Sequence, residues 1–222
     1  MNVVIFGATG MIGQGVLREC LLDPEVQRVV TVGRTATGQR HPKLEEIVHA
    51  DLFDLTAIEP RLTDLDACFF CLGVSAAGMT EEEYTRVTYG IAMSVATTLS
   101  RLDPGMTFVF VSGAGTDSTE RGRTMWARVK GKTENAILKL PFRRAYMFRP
   151  AFIRPMHGIR SRTKSYRVLY AIAAPLFPLL RRLFPNAVTT TEELGRAMLA
   201  VAKHGATSAI VDTAAIRAAR EG

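Results

Sequence analysis

The feature that most constrains the fold is a glycine-rich turn near the N-terminus. Residues 3–6 form a short apolar run, and the segment that follows, GATGMIG, places Gly7, Gly10 and Gly13 ahead of a helix-like pattern. The first glycine permits a tight turn, the second leaves the backbone open to a ligand, and the third lets the helix pack closely on the sheet. The first turn of that helix offers unpaired N–H groups to phosphate. Strand, turn and helix in this order predict a dinucleotide site.

Segments typical of strands and helices alternate along the first 150 residues. Strand patterns occupy residues 3–6, 28–32, 46–49, 67–71, 107–111 and 144–148, and helix patterns occupy 11–22, 80–101 and 123–140. The run 67–71 is apolar throughout, as expected of a strand buried on both faces. Thr80 and Glu83 are spaced as a capping box for the second helix. The pattern predicts an α/β protein with a Rossmann-type, doubly wound parallel sheet, and 222 residues fit one domain over 1–222.

The sequence changes character after residue 149, where five prolines divide it into short pieces. Ligands of doubly wound proteins bind beyond the carboxyl ends of the strands. The Pro-rich segment 150–188 is therefore predicted to be a small insertion on the substrate side that serves as a lid. Its apolar stretch, 168–180, is too short to span a bilayer. The segment 167–182 could also lie on an anionic membrane surface or form an oligomer contact, but its place after the sixth strand favours the lid.

One more helix pattern follows the Pro-rich segment. Thr190 or Thr191 can cap its N-terminus, and Gly205 can end it. Residues 209–211 then fit a short final strand.

The charge of the chain bears on its partners. The formal net charge is +7 at pH 7, which suits an anionic ligand. The basic residues are spread along the chain and are not interleaved with aromatic residues, as they are on surfaces that stack bases. The sequence therefore predicts a phosphate pocket on a basic surface and no nucleic-acid partner.

The cysteines indicate the redox environment. Cys20, Cys68 and Cys71 form no disulfide framework, and free thiols are typical of a reducing compartment. Cys68 and Cys71 have CxxC spacing, but they lie in a strand pattern, where side chains three apart point to opposite faces. No second Cys or His pair accompanies them, so no metal site is predicted. The N-terminus reads as a strand rather than as a signal peptide, and we expect a cytoplasmic protein.

The end of the second strand bears on the choice of coenzyme. NAD enzymes usually place an acidic residue there to bind the ribose hydroxyls, whereas this chain has Gly33 and Arg34. The guanidinium of Arg34 could pair with a 2′-phosphate, although it could also be an exposed arginine of a loop. The residues favour NADP(H) over NAD(H).

Taken together, the motifs resemble those of an atypical short-chain dehydrogenase/reductase of the NAD(P)H-binding, epimerase-like branch, near the Tat-interacting protein/oxidoreductase group. The markers cover nearly the whole chain: the glycine turn, Val32-Gly33-Arg34, Ala50-Asp51-Leu52, Cys71-Leu72-Gly73, Val111-Ser112-Gly113-Ala114, Lys130 and Phe148-Arg149-Pro150. The resemblance implies an NADP(H)-binding oxidoreductase or epimerase-type enzyme.

The resemblance also implies which residues hold the coenzyme. In such proteins the position of Asp51 holds the adenine edge, and the segment of residues 71–73 passes beneath the adenosine ribose. The implied coenzyme-binding residues are Gly7, Thr9, Gly10, Met11, Ile12, Gly13, Arg34, Asp51, Leu52, Cys71, Leu72, Gly73 and Lys130. From the residues alone, Asp51 fits equally well as a cap for the turn that follows it.

The implied catalytic site is incomplete. Members of the resembled family carry a Tyr-x-x-x-Lys pair on one helix and a Ser or Thr from the fifth strand, and the matching positions here are Trp126, Lys130 and Ser112. Indole donates a hydrogen bond but is neither acid nor base near neutrality. Lys130 could still bind the nicotinamide ribose, or it could be a surface lysine of its helix. Alternative proton donors are Tyr89, Tyr166, Tyr170 and His157, each of which could equally be a packing residue.

Two functions fit these observations. The first is an oxidoreductase or epimerase-type enzyme acting on the carbonyl or hydroxyl group of a small, fairly apolar molecule. The alternative is a non-catalytic, NADP(H)-bound regulatory or partner-binding protein, suggested by Trp126 in the tyrosine position. The helices at 80–101 and 123–140 could pair across a homodimer or cover the sheet of their own chain.

Overall fold

A seven-stranded parallel sheet dominates the structure, a computed structural model that describes residues 1–159 and 188–219. Its first elements follow the glycine turn closely. They are β1 (Asn2–Phe6), α1 (Met11–Leu22), β2 (Arg28–Gly33), β3 (Leu44–Val48), a short 3-10 helix (Thr56–Arg61) and β4 (Ala67–Phe70). The sequence pattern did not predict the 3-10 helix, which contains Pro60.

The remaining elements complete the sheet. They are α2 (Glu81–Thr85), a π-helical turn (Arg86–Gly90), α3 (Ile91–Leu102), β5 (Thr107–Val111), α4 (Met125–Ile137), β6 (Arg144–Arg149), β7 (Phe152–Arg154), β8 (Val188–Thr190), α5 (Thr191–His204), β9 (Ile210–Asp212) and α6 (Thr213–Ala219). The predicted helix at 80–101 is present as α2, the π turn and α3, which follow one another without a gap. The last strand lies one residue later than predicted.

The strand order confirms the doubly wound prediction. The sheet runs β3-β2-β1-β4-β5-β6-β9, with every neighbouring pair parallel. The chain builds outward from β1 to β3 and then returns to place β4 on the other side of β1. This reversal opens a crevice beyond the carboxyl ends of β1 and β4, the place where ligands bind in such sheets.

The sheet separates two apolar cores. Helices α1 and α5 cover one face and α3 covers the other. Neighbouring residues of β4 alternate between them, since Phe69 belongs to the first core and Phe70 to the second. Cys68 lies with Phe70, whereas Cys71 packs against the opposite core. The two cysteines of the CxxC spacing therefore face opposite sides, as predicted, and burial raises the pKa of both thiols.

Two helix starts carry capping boxes. The Thr80 hydroxyl accepts from the Glu83 amide at 3.2 Å, and the Glu83 carboxylate accepts from the Thr80 amide at 2.9 Å, which confirms the predicted box. At α5 the cap is Thr190, whose hydroxyl accepts from the Glu193 amide at 3.0 Å. Thr191, the other predicted cap, instead accepts from the amide of Met156 at 3.1 Å. Gly205 ends α5 with a φ of +86°.

The predicted lid is only partly described. Its first strand, β7, pairs in parallel with β8, and the register joins Phe152 to Val188. This small second sheet had no clear signal in the sequence, because strands of three residues are too short to show alternation. The stretch 168–180, the segment 167–182, Tyr166 and Tyr170 lie outside the described residues, so their roles stay predictions. None of the helices in residues 1–159 and 188–219 combines the length and apolarity that a membrane crossing requires.

Candidate functional site

The glycine turn between β1 and α1 is shaped by close backbone contacts. Gly7 has a φ of +85°, and a Cβ atom there would lie 2.9 Å from the Leu72 amide nitrogen. A Cβ atom on Gly13 would lie 2.1 Å from the Gly7 carbonyl oxygen. Neither distance is tolerable for a real side chain. The protein's own backbone therefore requires glycine at both positions.

Gly10 differs from the other two glycines. Its φ is −77°, which any residue adopts, and a Cβ atom there would meet only the Gly7 oxygen, at 3.3 Å, among the described residues. That contact is tight, so the backbone of the turn disfavours a side chain at position 10 but does not forbid one. Gly10 is the N-cap of α1, and within the described residues no side chain caps this helix and no acidic residue lies in its first turn. A helix N-terminus without a side-chain cap fits a pyrophosphate.

A cavity of about 310 Å³ lies beside the turn, beyond β1 and β2. Of the predicted coenzyme residues, Gly7, Thr9, Arg34, Leu52 and Leu72 line it. Arg34 is exposed at the cavity. Its position fits both the predicted phosphate contact and an exposed loop arginine.

Glu46 of β3 also lines this cavity and had no role in the sequence prediction. Its carboxylate accepts from the Thr37 amide at 2.5 Å, so it holds the loop that follows Arg34. A strand residue on the neighbouring β3 is brought here by the sheet order alone, and no motif marks it.

The structure places Asp51 outside the lining of this cavity. Its carboxylate accepts from the Phe53 amide at 2.9 Å, which is the capping contact of the alternative interpretation. The coenzyme contact of Asp51 stays a prediction. Cys71 extends the line of β4, since its amide donates to the Phe6 oxygen at 2.9 Å. Cys71 and Leu72 therefore lie directly beside Gly7, and the coenzyme contact of the segment 71–73 stays a prediction.

A second cavity, of about 590 Å³, lies beyond the carboxyl ends of β5 and β6. The three residues predicted for the catalytic site, Ser112, Trp126 and Lys130, line it, and so does Ile12 in the first turn of α1. Residues 7–9 of the glycine turn line the 310 Å³ cavity, whereas Ile12 lines the 590 Å³ cavity.

The polar groups of the second cavity form a short network. The Lys130 ammonium donates to the Ser112 carbonyl oxygen at 2.8 Å. The Ser112 hydroxyl lies 2.7 Å from that of Thr116, which donates to the Gly113 carbonyl oxygen at 2.8 Å. Because the single hydroxyl proton of Thr116 goes to Gly113, the Ser112 hydroxyl must donate to Thr116. Burial lowers the pKa of Lys130 to about 8, and the charge of Glu134 opposes this effect.

Helix α4 is fixed firmly against the end of β5. A Cβ atom on Gly131 would lie 1.8 Å from the Asp117 carbonyl oxygen, so only glycine permits this approach. One turn after Lys130, the carboxylate of Glu134 is 1% exposed and accepts from the Arg149 guanidinium, with Nε at 3.1 Å. The same guanidinium donates to the Ser118 hydroxyl at 2.5 Å. These contacts hold Lys130 in place.

Trp126, which the resemblance aligns with the family tyrosine, lies in the wall of the cavity. Its ring reaches the loop after β5, where a Cβ atom on Gly115 would lie 3.4 Å from Cη2. The two alternative proton donors that the structure describes are not brought to this site. Tyr89 lies beneath the Lys132 ammonium at 4.9 Å from its ring centroid, and His157 lies 2.6 Å from the Glu192 carboxylate.

Two residues of the site were missed by the sequence reasoning. Tyr84 is 2% exposed and lines the 590 Å³ cavity, but its spacing with Val87 and Ile91 is that of an apolar helix face. Thr116 is the partner of the Ser112 hydroxyl, and no motif places a hydroxyl four residues after the serine. Within residues 1–159 and 188–219, no group of three or more His, Cys, Asp or Glu side chains is arranged to hold a metal ion.

Comparison with known proteins places this geometry in a family. Residues 3–126 match the model of the NAD dependent epimerase/dehydratase family. The proteins named "Protein fmp52, mitochondrial" from Emericella nidulans and Aspergillus fumigatus are 29% and 30% identical over 160 residues. The alignments cover 68% of this chain and 66% of each relative, slightly less than two thirds of its length.

Solved structures share the fold. A short chain dehydrogenase family protein from Francisella tularensis superposes with a TM-score of 0.67 at 15% identity, covering 94% of both chains. MoeE5 in complex with UDP-glucose and NAD superposes with a TM-score of 0.67 at 18% identity, covering 94% of this chain and 74% of MoeE5. Identities this low show the common Rossmann-like architecture alone.

The expectation of a cytoplasmic protein is overturned by these relatives, whose names place them in mitochondria. The inference was wrong because free thiols indicate only a reducing environment, which more than one compartment provides. The resemblance to the epimerase-like branch, in contrast, is confirmed. With its family match over residues 3–126 and its glycine turn on a doubly wound sheet, the chain belongs to the NAD-dependent epimerase/dehydratase family.

Proposed function

We propose that this protein is an NADP(H)-dependent oxidoreductase that acts on the carbonyl or hydroxyl group of a small, apolar molecule. The observation that carries the proposal is that the glycine motif contributes to two cavities, since residues 7–9 line the 310 Å³ cavity and Ile12 lines the 590 Å³ cavity. A dinucleotide laid across the turn would extend from the Arg34 side to the side of Ser112 and Lys130. When bound, the reduced coenzyme would supply a hydride at that end.

The wall of the 590 Å³ cavity supports an apolar substrate. Among the described residues that line it, Lys130 is the single charged one. The other lining residues are mostly small or apolar, and they include Val74, Ala76, Ala77, Ala114, Pro150, Phe152 and Ile153. A nucleotide sugar such as the UDP-glucose bound by MoeE5 carries phosphates and several hydroxyls that need charged or polar partners. The cavity therefore favours a small ketone or aldehyde, or the matching alcohol.

The preference for NADP(H) is supported by the loop after β2. Arg34 is exposed at the 310 Å³ cavity, where a guanidinium can bind a 2′-phosphate. The one carboxylate among the described lining residues belongs to Glu46, and it accepts from the Thr37 amide. That carboxylate lies on β3 and not at the end of β2, where NAD enzymes usually place an acidic residue.

Calorimetry and a turnover assay test the proposal together. We expect the purified protein to bind NADPH more tightly than NADH and to oxidise NADPH when supplied with small aromatic aldehydes such as 4-nitrobenzaldehyde. Nucleotide sugars are tested as alternative substrates in the same assay. Failure to bind either reduced coenzyme, or turnover confined to nucleotide sugars, would contradict the proposal.

A second function is favoured by one observation, the indole of Trp126 where the family places an acid–base tyrosine. On this reading the protein binds NADP(H) but acts as a regulator or partner of other proteins. The calorimetry and turnover assay described above distinguish the two functions. Turnover by the wild-type protein that is lost in Lys130→Ala excludes the regulator, whereas tight NADPH binding without turnover of any carbonyl supports it.

A further inference from the structure

The proposed reaction needs a proton donor, and the usual one is absent. Reduction of a carbonyl places a negative charge on its oxygen, which a nearby acid must neutralise. Trp126 cannot do so, because an indole N–H is not acidic near neutrality. Another group of the 590 Å³ cavity must therefore supply the proton.

The hydrogen bonds of the cavity exclude Ser112 from this task. Its hydroxyl proton is directed at Thr116, whose own proton is directed at the Gly113 carbonyl. A hydroxyl arranged in this way can accept a hydrogen bond from a ligand but has no proton to give it. Ser112 is thus suited to orienting a substrate hydroxyl.

Lys130 has the geometry that Ser112 lacks. An ammonium group carries three N–H donors, and one of them is bound by the Ser112 carbonyl oxygen at 2.8 Å. That single hydrogen bond is the one recorded for it among the described residues, and the side chain lines the cavity. The remaining N–H groups can therefore reach a ligand there. The positions of Gly131 and Glu134 prevent α4 from withdrawing the amine.

The surroundings of Lys130 act on its pKa in opposite directions. Glu134, one turn further along α4, is the charge that acts on it, and that carboxylate is paired with Arg149 of β6. After β5, the Ser112 carbonyl oxygen accepts from Lys130, and the neutral hydroxyls of Ser112 and Thr116 bind each other. Helix α2 contributes Tyr84 to the same cavity. Burial lowers the pKa of the amine to about 8. Near neutrality such a group can both release a proton and recover one.

We propose that Lys130 is itself the proton donor of this protein, in the role that a tyrosine holds elsewhere in its family. This inference rests on the proposed oxidoreductase function. As the hydride reaches the carbonyl carbon, the C=O π bond breaks and its electron pair takes a proton from Lys130 Nζ. The carbonyl is reduced to an alcohol, the coenzyme is oxidised, and the neutral amine regains a proton from water. In the reverse direction the amine accepts the hydroxyl proton.

The test measures turnover, binding and protonation separately. With 4-nitrobenzaldehyde and NADPH, kcat of the wild type should fall as the pH rises through about 8, because the ammonium is lost. Lys130→Arg keeps the positive charge but does not release a proton. It should lower kcat by about 100-fold or more while NADPH affinity changes by less than about threefold. Lys132→Arg, an exposed lysine of the same helix, is the matched control and should leave both unchanged.

A readout that needs no turnover completes the test. Lysines of the NADP⁺-bound protein are labelled by reductive ¹³C-methylation, and the Lys130 signal is assigned by its loss in Lys130→Arg. We expect this signal to titrate below the other lysines. A signal that titrates with the exposed lysines would overturn the inference, and so would a Lys130→Arg variant that retains kcat.

A Tyr84→Phe variant provides the competing test. If this change, and not Lys130→Arg, abolishes turnover and its fall above pH 8, the phenol is the donor and the inference is wrong. Failure of the wild type to oxidise NADPH with any aldehyde would instead refute the oxidoreductase function, and the role of Lys130 with it. Turnover that survives in Lys130→Arg refutes the role of Lys130 alone.

Discussion

The two ends of the site are built on different principles. The coenzyme end depends on backbone atoms, because Gly7 and Gly13 allow close backbone contacts and Gly10 begins a helix that no described side chain caps. The chemical end depends on side chains from separate elements, with Ser112 after β5, Trp126 and Lys130 on α4, and Tyr84 on α2. The first end keeps the family pattern and the second departs from it. A backbone site tolerates little change, whereas a side-chain site can change its chemistry while the fold remains.

The largest expected effect is at the turn itself. Gly13→Val would place side-chain atoms on the Gly7 carbonyl, which a Cβ atom alone approaches to 2.1 Å. We expect the free energy of unfolding to fall by about 4 kcal/mol or more, since the clash is with backbone that cannot rotate away. Urea denaturation measures the loss. Gly105→Ala is the control, because a Cβ atom there meets nothing within 4 Å, and a comparable loss in both variants would contradict the backbone account.

The next effect concerns the ion pair that holds the chemical end. Glu134→Gln leaves the Arg149 guanidinium without its buried partner, since Glu134 is 1% exposed. We expect a loss of stability of about 3 kcal/mol, because a buried charge is left uncompensated. The pKa of Lys130 should fall further, as Glu134 now raises it. Denaturation and the lysine titration measure the two effects, and an unchanged stability would show that the pair does not anchor α4.

Removal of the Arg34 guanidinium at the coenzyme end should lower the affinity for NADPH without changing stability. Arg34→Ala takes away the proposed partner of the 2′-phosphate, and we expect NADPH affinity to fall by about 10- to 100-fold, the usual effect of losing a charge-assisted hydrogen bond. NADH affinity should stay the same. Calorimetry with both coenzymes checks this. An equal loss for NADPH and NADH would show that Arg34 does not recognise the phosphate.

The smallest effect is a change in pH dependence. The pKa of Lys130 falls from 10.5 to about 8 on folding, so the unfolded chain binds more protons between these values and stability rises with pH across that window. Lys130→Met removes the charged form that burial disfavours, and the variant should be more stable near neutrality by about 1–2 kcal/mol. The rise between pH 8 and 10.5 should also become shallower. Lys132→Met should show neither change, and equal behaviour of the two variants would contradict the effect of burial.

Much of the fold could be predicted because local patterns and long-range structure agree. The apolar run of β4 and the capping box at Thr80 each identify an element without reference to the rest of the chain. The π turn at Arg86–Gly90 could not be predicted, since a single π turn inside a helix leaves the apolar spacing of the sequence nearly unchanged. The β7–β8 pair joins residues more than thirty positions apart in sequence, and such contacts leave no local signal.

The candidate site divides in the same way. The glycine turn was predicted in full because its spacing reflects one continuous segment of backbone. The partners of Ser112 and Lys130 could not be predicted, because Thr116 and Glu134 depend on how β5, its loop and α4 pack. For Asp51, both the coenzyme contact and the cap agreed with the sequence, and the observed hydrogen bond to Phe53 supplies the cap.

Gly10 offers the most direct test of the central claim that the turn holds a pyrophosphate. A Cβ atom at this position would lie 3.3 Å from the Gly7 carbonyl oxygen, a tight contact that a small backbone shift relieves, and φ is −77°. Calorimetric titration of Gly10→Ala with NADPH should show affinity reduced by about 100-fold, although the variant should lose far less stability than Gly13→Val. Wild-type affinity in this variant, or a wild-type protein that binds neither NADPH nor NADP⁺, would contradict the account.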